Sequence, residues 1–499
     1  MIQTFLGKPF RYTLAAFVGL FALSMIGYFA NVSLFLLALL CLGTAAATFR
    51  KLEYGLAIAF LELLSNAHGY ILYDTIGGVR TSARMVIFLG VFLGWGIALL
   101  LRRSVIQWND SRSTPFIPLA LAVAIGGAVG LTRRSAVEVF QDGNAYLYLL
   151  YLLPVLSVKW DEVKKRIVLQ MLAAATVFTA AASLFILYAF THLSQSFLRV
   201  MYVYLRDIRF AEMTHMGMGM YRIFEQTQVF AIVFGFLVFE RLFENLTHRN
   251  RQALIALLTG AFVCFFIGMS RSFLVGMLAA TCVYLVWFLG GKRMVLKQWL
   301  TGIGSVLLSA GLAWVLIYGA VLFPFPHTRA AGEYLTGVFG DRAAGTDVAV
   351  SSRWNLLPPM LAEIKTNPLL GSGFGQTVQF VTDDPRIRAL YPDGLWTTSS
   401  MEWGWLELWV KMGIMAPIGF VVLFLSVIFA LRRTFSTEQA WRSLWVCAFL
   451  IFLYVTHIFS PYLNHPIGIG LILVAILFLP ETNETFTTLL KKVRQFRLK

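Results

Sequence analysis

Long apolar runs alternate with short polar segments along almost the whole chain. Apolar runs of roughly 17–25 residues have the length that crosses a bilayer as a helix. The pattern predicts spans at 11–29, 31–48, 55–73, 84–101, 115–131, 144–157, 167–191, 226–243, 253–269, 272–290, 299–322, 404–430, 443–460 and 465–480. We therefore expect an all-α polytopic membrane protein with about 12–14 transmembrane helices.

The composition supports a membrane protein. Hydrophobic residues make up 58% of the 499 residues and charged residues 13%, with a mean hydropathy of +0.73. A soluble chain of this length divides into domains with charged surfaces, and no such surfaces interrupt the apolar runs. The cysteines all lie within apolar runs without metal-like spacing, so we interpret them as small core residues: Cys41, Cys264, Cys282 and Cys447.

The basic residues fix the expected orientation. The net charge is +16, but the positive charge collects in short loops between spans, which is the positive-inside pattern and not a nucleic-acid surface. The cytoplasmic clusters are Arg50-Lys51, Arg102-Arg103, Lys164-Lys165-Arg166, Lys292-Arg293, Arg432-Arg433 and the tail from Lys491 to Lys499. The long polar loop 323–403 then lies outside, as does the exceptional pair Arg133-Arg134.

These features divide the chain into four parts. We expect N-terminal spans over 1–191, and central spans over 192–322 with an arginine-bearing outer loop and hairpin. The outer loop 323–403 follows, and 404–499 holds the last spans and the basic tail.

The outer loop carries the densest chemistry in the chain. Arg353 opens an amphipathic helix, in which Pro358-Pro359 either causes a kink or marks the first turn. The helix is expected to stop at Asn367-Pro368, and a glycine-rich turn follows it, with glycines at Gly371, Gly373 and Gly375. Such a turn lets backbone N–H groups approach an anion closely. Glu402 follows at the mouth of the next apolar run, so the sequence predicts one cavity that joins an arginine, the glycine turn and a carboxylate.

Three arginines are candidates for binding a phosphate group. Arg222 ends a second outer loop at about 192–225, and Arg271 lies between two apolar runs that form a tight hairpin. Arg353 begins the amphipathic helix of the 323–403 loop. An arginine at membrane depth is costly unless it faces a cavity or a partner. A guanidinium matches phosphate oxygens in a bidentate fork, although each of the three could instead be an interface anchor or a salt-bridge partner.

Several neighbouring residues have simpler interpretations. Glu407 and Lys411 are one helical turn apart, which predicts an intramembrane ion pair. His457 and His465 lie near the last outer turn and are expected to be structural, hydrogen-bonded groups at helix ends. Trp403 belongs to an aromatic group at the loop mouth that anchors the interface, and one or two of these rings could stack on a sugar.

The motifs S-R-S-F-L-V-G, R-W-x12-N-P-L-L-G-S-G-F-G and W-L-E-L-W-V-K-M-G-I resemble, in this order, the O-antigen ligase and polymerase superfamily. The similar region covers roughly 215–425. The resemblance implies an all-helical membrane glycosyltransferase of the bacterial inner membrane, which inverts the anomeric centre and needs no metal or other cofactor. It also implies that Arg222, Arg271 and Arg353 hold the diphosphate of an undecaprenyl-diphosphate-linked glycan on the periplasmic face.

One departure from the family pattern concerns the catalytic base. Ligases carry a His-Asn pair just before the aromatic-Leu motif, and Glu402-Trp403 occupies that place here. A carboxylate can also accept a proton from a sugar hydroxyl. Glu402 is therefore the predicted base, with Arg271 and Arg353 as the other catalytic residues and Trp403, Arg222 and the turn glycines as substrate-binding ones. The alternative is that Glu402 only pairs with an arginine and orders the loop.

The resulting hypothesis is a polymerase of a surface polysaccharide. The growing chain on undecaprenyl diphosphate is the donor and the new lipid-linked repeat unit is the acceptor. Membrane lipids and a chain-length regulator protein are the other expected partners, and nucleic acid is not one. A ligase that transfers the chain to lipid A–core is the close alternative. A transporter for lipid-linked glycans is the alternative from another class, although it would more often show two symmetric halves with broken helices.

Overall fold

A computed structural model describes residues 2–65, 68–107, 110–216, 220–290, 295–326, 348–432 and 440–479. The protein is 74% helical, and within these ranges eight helices are long and apolar enough to cross a membrane. Three further apolar helices are shorter: Met415–Leu431, Trp441–Thr456 and Pro466–Leu477. The predicted all-α polytopic class is confirmed. The predicted features at 292–293, 327–347 and 480–499 lie outside the described residues.

The chain forms two compact units, and the first comprises 1–105, 158–274 and 281–339. Its helices are Ile2–Phe5, Lys8–Ala30, Ser33–Arg50, Leu52–Ser65, Ala83–Leu100, Glu162–His192, Gln195–Asp207, Gln228–Arg241, His248–Gly268, Arg271–Gly290 and Leu296–Leu322. Two antiparallel hairpins complete the unit. One pairs Tyr73–Ile76 with Val79–Ser82, and the other pairs Glu212–His215 with Tyr221–Phe224.

The long helix Glu162–His192 is the centre of the first unit. Asp161 caps its start by accepting a hydrogen bond from the Lys164 backbone N–H at 2.9 Å. Small buried residues along it, such as those at 173–175, let neighbouring helices approach closely. The helices that pack against it include Lys8–Ala30, Gln228–Arg241, His248–Gly268 and Leu296–Leu322.

The second unit comprises 106–157, 275–280 and 340–499. Its helices are Ile117–Arg133, Ala136–Gly143, Leu152–Leu156, Val348–Thr366, Pro385–Arg388, Gly404–Met412, Met415–Leu431, Ala440–Thr456 and Pro466–Leu477, with 3₁₀ turns at Thr114–Phe116, Asn144–Tyr151 and Tyr462–Asn464. One antiparallel hairpin pairs Val378–Val381 with Leu395–Thr398. The helices Ile117–Arg133 and Met415–Leu431 pack against each other.

Three predicted spans are wrong in their continuity. The span 144–157 is a 3₁₀ turn followed by the five-residue helix Leu152–Leu156. The span 55–73 stops at Ser65, and a turn with Gly69 at φ 78° leads into the first hairpin. The span 404–430 is interrupted at Gly413, whose φ of 69° and ψ of −175° no helix can contain. Apolar residues continue through the breaks at 144–157 and at Gly413, so hydropathy could not reveal those two. In 55–73 the stretch S-N-A-H-G at 65–69 was an available signal.

The amphipathic helix of the outer loop, Val348–Thr366, starts earlier than predicted. It continues through Pro358-Pro359, so Arg353 lies in its second turn and not at its start. The hydroxyls of Ser352 and Thr382 are 2.6 Å apart and tie the start of the helix to the hairpin. The end before Asn367-Pro368 is as predicted, because a proline disfavours helical geometry in the residue before it. We call this element the loop helix.

Candidate functional site

Glu402 and Arg353 form an ion pair in the second unit. The Nε–H of Arg353 donates to Oε2 of Glu402, and the side chains are 33% and 52% exposed. The indole N–H of Trp403 donates to the backbone oxygen of Arg353 at 2.8 Å. These two bonds join the loop helix to the start of helix Gly404–Met412, and they place a carboxylate and a guanidinium together at a solvent-accessible position.

A small apolar cluster that includes both chain neighbours of Glu402 holds the pair in place. Leu356, Met360 and Ile364 recur every four residues along one face of the loop helix and are buried. They pack in one cluster with Val378, Met401 and Val410, and with the partly buried rings of Phe380, Trp403 and Trp409. The amide of Asn355 also donates to the backbone oxygen of Val381 at 3.0 Å. The residues before and after Glu402 are thus anchored while Glu402 itself stays exposed.

Aromatic rings stand beside the carboxylate. The rings of Trp354 and Trp403 meet edge to face at 5.3 Å, and Phe459 lies 5.7 Å from Trp403. Trp354 is 58% exposed, so its ring offers an open apolar face next to the ion pair. A planar ring can bury the apolar face of a sugar, which makes this a reasonable saccharide contact.

The structure does not bring the glycine turn to this ion pair. The turn follows the end of the loop helix, and it touches Met412 and Gly413 at the far end of helix Gly404–Met412. Arg353 is 13 residues before the end of the loop helix. At 1.5 Å per residue, the turn is therefore roughly 15–20 Å from Glu402. The predicted single cavity that joins the glycine turn with Glu402 is wrong.

The donors of the glycine turn bind the protein itself. The N–H groups of Gly371, Gly373 and Gly375 donate to Asn367 O, Lys411 O and the Asp142 carboxylate, at 3.0, 3.1 and 2.8 Å. Residues 371–375 are all buried. In this arrangement the turn has no donor left for a substrate anion, so its role is packing.

Steric constraints explain why glycines occur there. Gly371, Gly373 and Gly375 have φ values of 72°, 86° and 83°, which disfavour any residue with a Cβ. A Cβ on Gly373 would lie 2.3 Å from the backbone nitrogen of Gly130, and one on Gly371 would lie 2.5 Å from that of Gly413. The turn therefore fits between two backbones at a distance that only glycine permits.

The predicted ion pair of Glu407 and Lys411 is confirmed, and it has a third member. Nζ of Lys411 lies 2.5 Å from Oε1 of Glu407 and 2.5 Å from Oδ1 of Asp142. Lys411, Glu407 and Asp142 are 4%, 6% and 12% exposed. Sequence reasoning missed Asp142; the only signal was its position in a short polar stretch just before an apolar run. We call these three residues the buried triad.

Arg222 and Arg271 belong to the first unit. Arg222 lies in strand Tyr221–Phe224, and its Nε donates to the backbone oxygen of Gly268 at 2.8 Å. Gly268 ends its helix, Met269 follows at φ 44°, and Arg271 begins the next helix. Arg222 thus binds the turn that carries Arg271, and the side chain of Arg271 is exposed.

A buried polar network lies next to this turn, and sequence reasoning did not single it out. The hydroxyl of Ser183 donates to Glu225 at 2.9 Å, and the amide of Gln228 donates to the Ile223 backbone oxygen at 3.1 Å. A Cβ on Gly268 would lie 2.4 Å from the side-chain oxygen of Gln228. The network therefore braces the strand and the turn that position Arg222. The polar run E-Q-T-Q after Arg222, at the start of an apolar span, was the available signal.

The two histidines have the structural roles that we predicted. His457 is fully buried against Gly404, and its Nδ1 accepts the Leu463 backbone N–H at 3.2 Å. His465 caps the last helix by accepting the Ile467 N–H at 3.3 Å. Within the ranges that the structure describes, no group of three or more His, Cys, Asp or Glu side chains could hold a metal ion.

A family model described as O-antigen ligase matches residues 254–424. The matched segment contains Arg271, Arg353, the glycine turn and Glu402, whereas Arg222 precedes it. The match confirms the resemblance to the O-antigen ligase and polymerase superfamily that the motifs indicated. No curated protein matches the chain. The fold thus defines a multi-pass membrane protein, and its residues 254–424 are similar to the O-antigen ligase family.

The packing role of the glycine turn is testable by adding one methyl group. Gly373→Ala should destabilise the protein by about 2–5 kcal/mol, since it combines a left-handed backbone with a clash against Gly130. Gly127→Ala is the matched control, because a Cβ there meets nothing within 4 Å. Thermal unfolding in detergent should separate the two variants. Equal melting temperatures for both would contradict the packing role.

The buried triad predicts a large effect of removing its cation. Lys411→Met leaves two buried carboxylates without their ammonium and should cost about 3–5 kcal/mol. Lys365→Met removes an exposed lysine of the loop helix and should change stability little. Folded yield and thermal unfolding measure both. A Lys411→Met protein as stable as the control would show that the triad is not a structural support.

Proposed function

We propose that this protein polymerises lipid-linked oligosaccharide repeat units into a surface polysaccharide. The observation that carries the proposal is the exposed Glu402–Arg353 pair beside Trp354 and Trp403. It lies within the segment that matches the O-antigen ligase family. A carboxylate that is accessible, held in place and flanked by aromatic rings suits the deprotonation of a sugar hydroxyl.

The reaction balances without a metal or another cofactor. An acceptor hydroxyl oxygen attacks the anomeric carbon of the donor glycan, forming one C–O bond. The C–O bond to the lipid diphosphate breaks on the opposite face, which inverts the anomeric centre. The hydroxyl proton passes to Glu402, and the diphosphate leaves as an anion on its lipid.

In this proposal, Arg353 orients the carboxylate of Glu402. Its Nε–H fixes one carboxylate oxygen, and no second donor among the described residues binds Glu402. The other oxygen is thereby left to accept the proton. Trp403 supports the arrangement by fixing the backbone of Arg353, so base and guanidinium are oriented before the substrate binds.

Arg222 and Arg271 of the first unit are assigned to the departing diphosphate. A guanidinium offers paired donors that match phosphate oxygens and stabilise the charge that develops there. The hydrogen bond from Arg222 to the turn before Arg271 supports a joint role for the two.

The second candidate is a ligase, and the description of the matching family favours it. Both enzymes transfer a glycan from a lipid diphosphate, and they differ only in the acceptor. The lipid-linked glycans of a cell that lacks this protein distinguish them. Single repeat units would accumulate without a polymerase, and full-length chains would accumulate without a ligase.

The proposed site faces the periplasm of the bacterial inner membrane, which cysteine labelling can test. In a variant that lacks the four native cysteines, Ser399→Cys in the exposed part of the loop should react with an impermeant maleimide in intact cells. Arg432→Cys, in a basic loop, should react only after lysis, since positive loops stay in the cytoplasm. The reverse pattern would refute the orientation.

Glu402→Gln tests the base. The amide keeps the size of the side chain and an oxygen for Arg353, but it cannot take up the proton. Polymer formation from purified protein and lipid-linked repeat units should fall about 10²–10⁴-fold at unchanged melting temperature. Glu402→His should retain some activity, because the related ligases carry histidine at this place.

Asp393→Asn is the matched control. Asp393 is an exposed loop carboxylate and, among the described residues, accepts only the backbone N–H of Leu395 in its own turn. It should polymerise at the native rate. A stable Glu402→Gln protein with native turnover would remove Glu402 from the mechanism. A loss of stability without a loss of rate per folded molecule would assign the pair a structural role.

A further inference from the structure

We propose that the first unit carries a second anion site, formed by Tyr70, Arg80 and Arg209, which binds the diphosphate of the acceptor lipid. This inference rests on the proposed function, because a polymerase uses two lipid diphosphates at once. The reacting hydroxyl of the acceptor lies at the opposite end of the repeat unit from its own diphosphate. That diphosphate therefore needs a binding site apart from the one for the donor.

Two guanidinium groups share one aromatic ring at this place. The Cζ atoms of Arg80 and Arg209 lie 4.5 and 5.0 Å from the centroid of the Tyr70 ring. Arg80 also lies 4.0 Å from the centroid of Tyr73. Each contact is a favourable cation–π interaction. The two distances place the like charges of Arg80 and Arg209 within 9.5 Å of each other. An anion between or beside the two guanidiniums would relieve that repulsion.

The nearby carboxylates are already bound to other groups. Asp207 accepts bonds from the Tyr28 hydroxyl and from Arg206. Both oxygens of Glu62 accept bonds from Arg84, at 3.0 and 3.1 Å. Among the residues with described positions, no carboxylate lies within ion-pairing distance of Arg80 or Arg209. The positive charge of these two arginines is thus not paired with a carboxylate of the described residues.

The site is held in place by the fold. Arg80 lies in the first hairpin opposite Thr75, and it donates to the backbone oxygen of Asp207 at 2.5 Å. The Nε of Arg80 is buried, and no residue in the described part of the chain accepts a hydrogen bond from it. Arg209 follows the helix Gln195–Asp207 at φ 50°, and its backbone N–H bonds to Arg206 at 3.0 Å. Strand pairing thus fixes the backbone of Arg80, and a hydrogen bond fixes that of Arg209.

The lowered pKa of the neighbouring His68 is consistent with an excess of positive charge at this site. His68 lies in the loop before the first hairpin, outside the helices. Burial and then the charges of Arg209 and Arg84 lower the pKa of His68 to about 4. His68 is therefore neutral at physiological pH and does not add to the repulsion.

The surroundings fit a phosphate that is carried by a lipid. The adjoining helix Gln195–Asp207 exposes Phe197, Val200 and Tyr202, at 48%, 54% and 41%. An amphipathic helix with exposed apolar residues beside arginines is typical of a segment in the headgroup layer of a bilayer. The anion expected at this depth is a lipid headgroup and not a soluble ion.

The distance of the second anion site from Arg222 also suits two lipids that are bound side by side. Thr214 is five residues beyond Arg209 and pairs with Arg222 across the second hairpin. Even a fully extended connection places the Cα atoms of Arg209 and Arg222 within about 23 Å of each other. The two anion sites are therefore separate but close enough for one enzyme to hold a donor and an acceptor.

Counting bound lipids tests this proposal without turnover. Native mass spectrometry of the purified protein with undecaprenyl diphosphate should show two bound lipids for the native chain. It should show one for Arg209→Gln and one for Arg271→Gln. Arg199→Gln is the matched control, because Arg199 is exposed on the same helix and has no ring or carboxylate partner among the described residues; it should keep two. Two lipids on Arg209→Gln would overturn the proposal.

A second arm separates the acceptor lipid from an ordinary phospholipid. The same experiment with phosphatidylglycerol should show no difference between the native chain and Arg209→Gln. If only phosphatidylglycerol binding depends on Arg209, the cluster is a membrane anchor and the acceptor assignment is wrong.

Kinetics provide the last arm. Arg209→Gln should raise the KM for the acceptor about 10- to 100-fold with little change in kcat, as expected from losing one charge-assisted bond. Arg209→Lys keeps the charge and should recover part of the affinity. Such a recovery would show that the loss in Arg209→Gln is not a folding defect. A native KM in a correctly folded Arg209→Gln protein would contradict the proposal. If the native chain binds two lipids but makes no polymer, the proposed polymerase activity fails while the second anion site stands.

Discussion

The second unit depends on one buried ammonium group, that of Lys411. Removing a charge from water is costly, and a buried lysine is stable only when its partners are well placed. Glu407 comes from the same helix, one turn earlier, whereas Asp142 comes from a segment 269 residues away in the sequence. The second oxygen of Asp142 accepts the N–H of Gly375. One cation thus joins helix Gly404–Met412, helix Ala136–Gly143 and the glycine turn.

This support explains how an exposed pair can be well oriented. The glycine turn fixes the end of the loop helix, and Gly413 lets helix Gly404–Met412 stop against that turn. The other ends of the same two helices carry Arg353 and Glu402. Because the apolar cluster between the helices is buried, the packing of Met401 and Trp403 fixes the backbone on either side of Glu402, while Glu402 itself stays 52% exposed. Reactive groups need such a supporting layer to keep their geometry.

Local patterns in the sequence predicted the local features. Apolar run length gave most spans, the i,i+4 spacing gave the pair of Glu407 and Lys411, and Asn367-Pro368 gave the end of the loop helix. Features that need contacts between distant segments were not predictable. Asp142 joins the triad, and Gly130 contacts the glycine turn, only because helices that are far apart in the sequence pack together. The glycine turn itself was misread, because the same spacing of glycines serves anion binding and close backbone packing alike.

The contrast in exposure between Glu407 and Glu402 decides which of these two carboxylates can act as a base. Glu407 lies in the motif that resembles the family, yet its side chain is 6% exposed and bonded to an ammonium. An acceptor hydroxyl could reach it only by breaking the triad that holds the unit together. Glu402 is 52% exposed and has a guanidinium on one oxygen only. Burial therefore assigns Glu407 and Lys411 to structure, and exposure leaves Glu402 as the carboxylate that a substrate can approach.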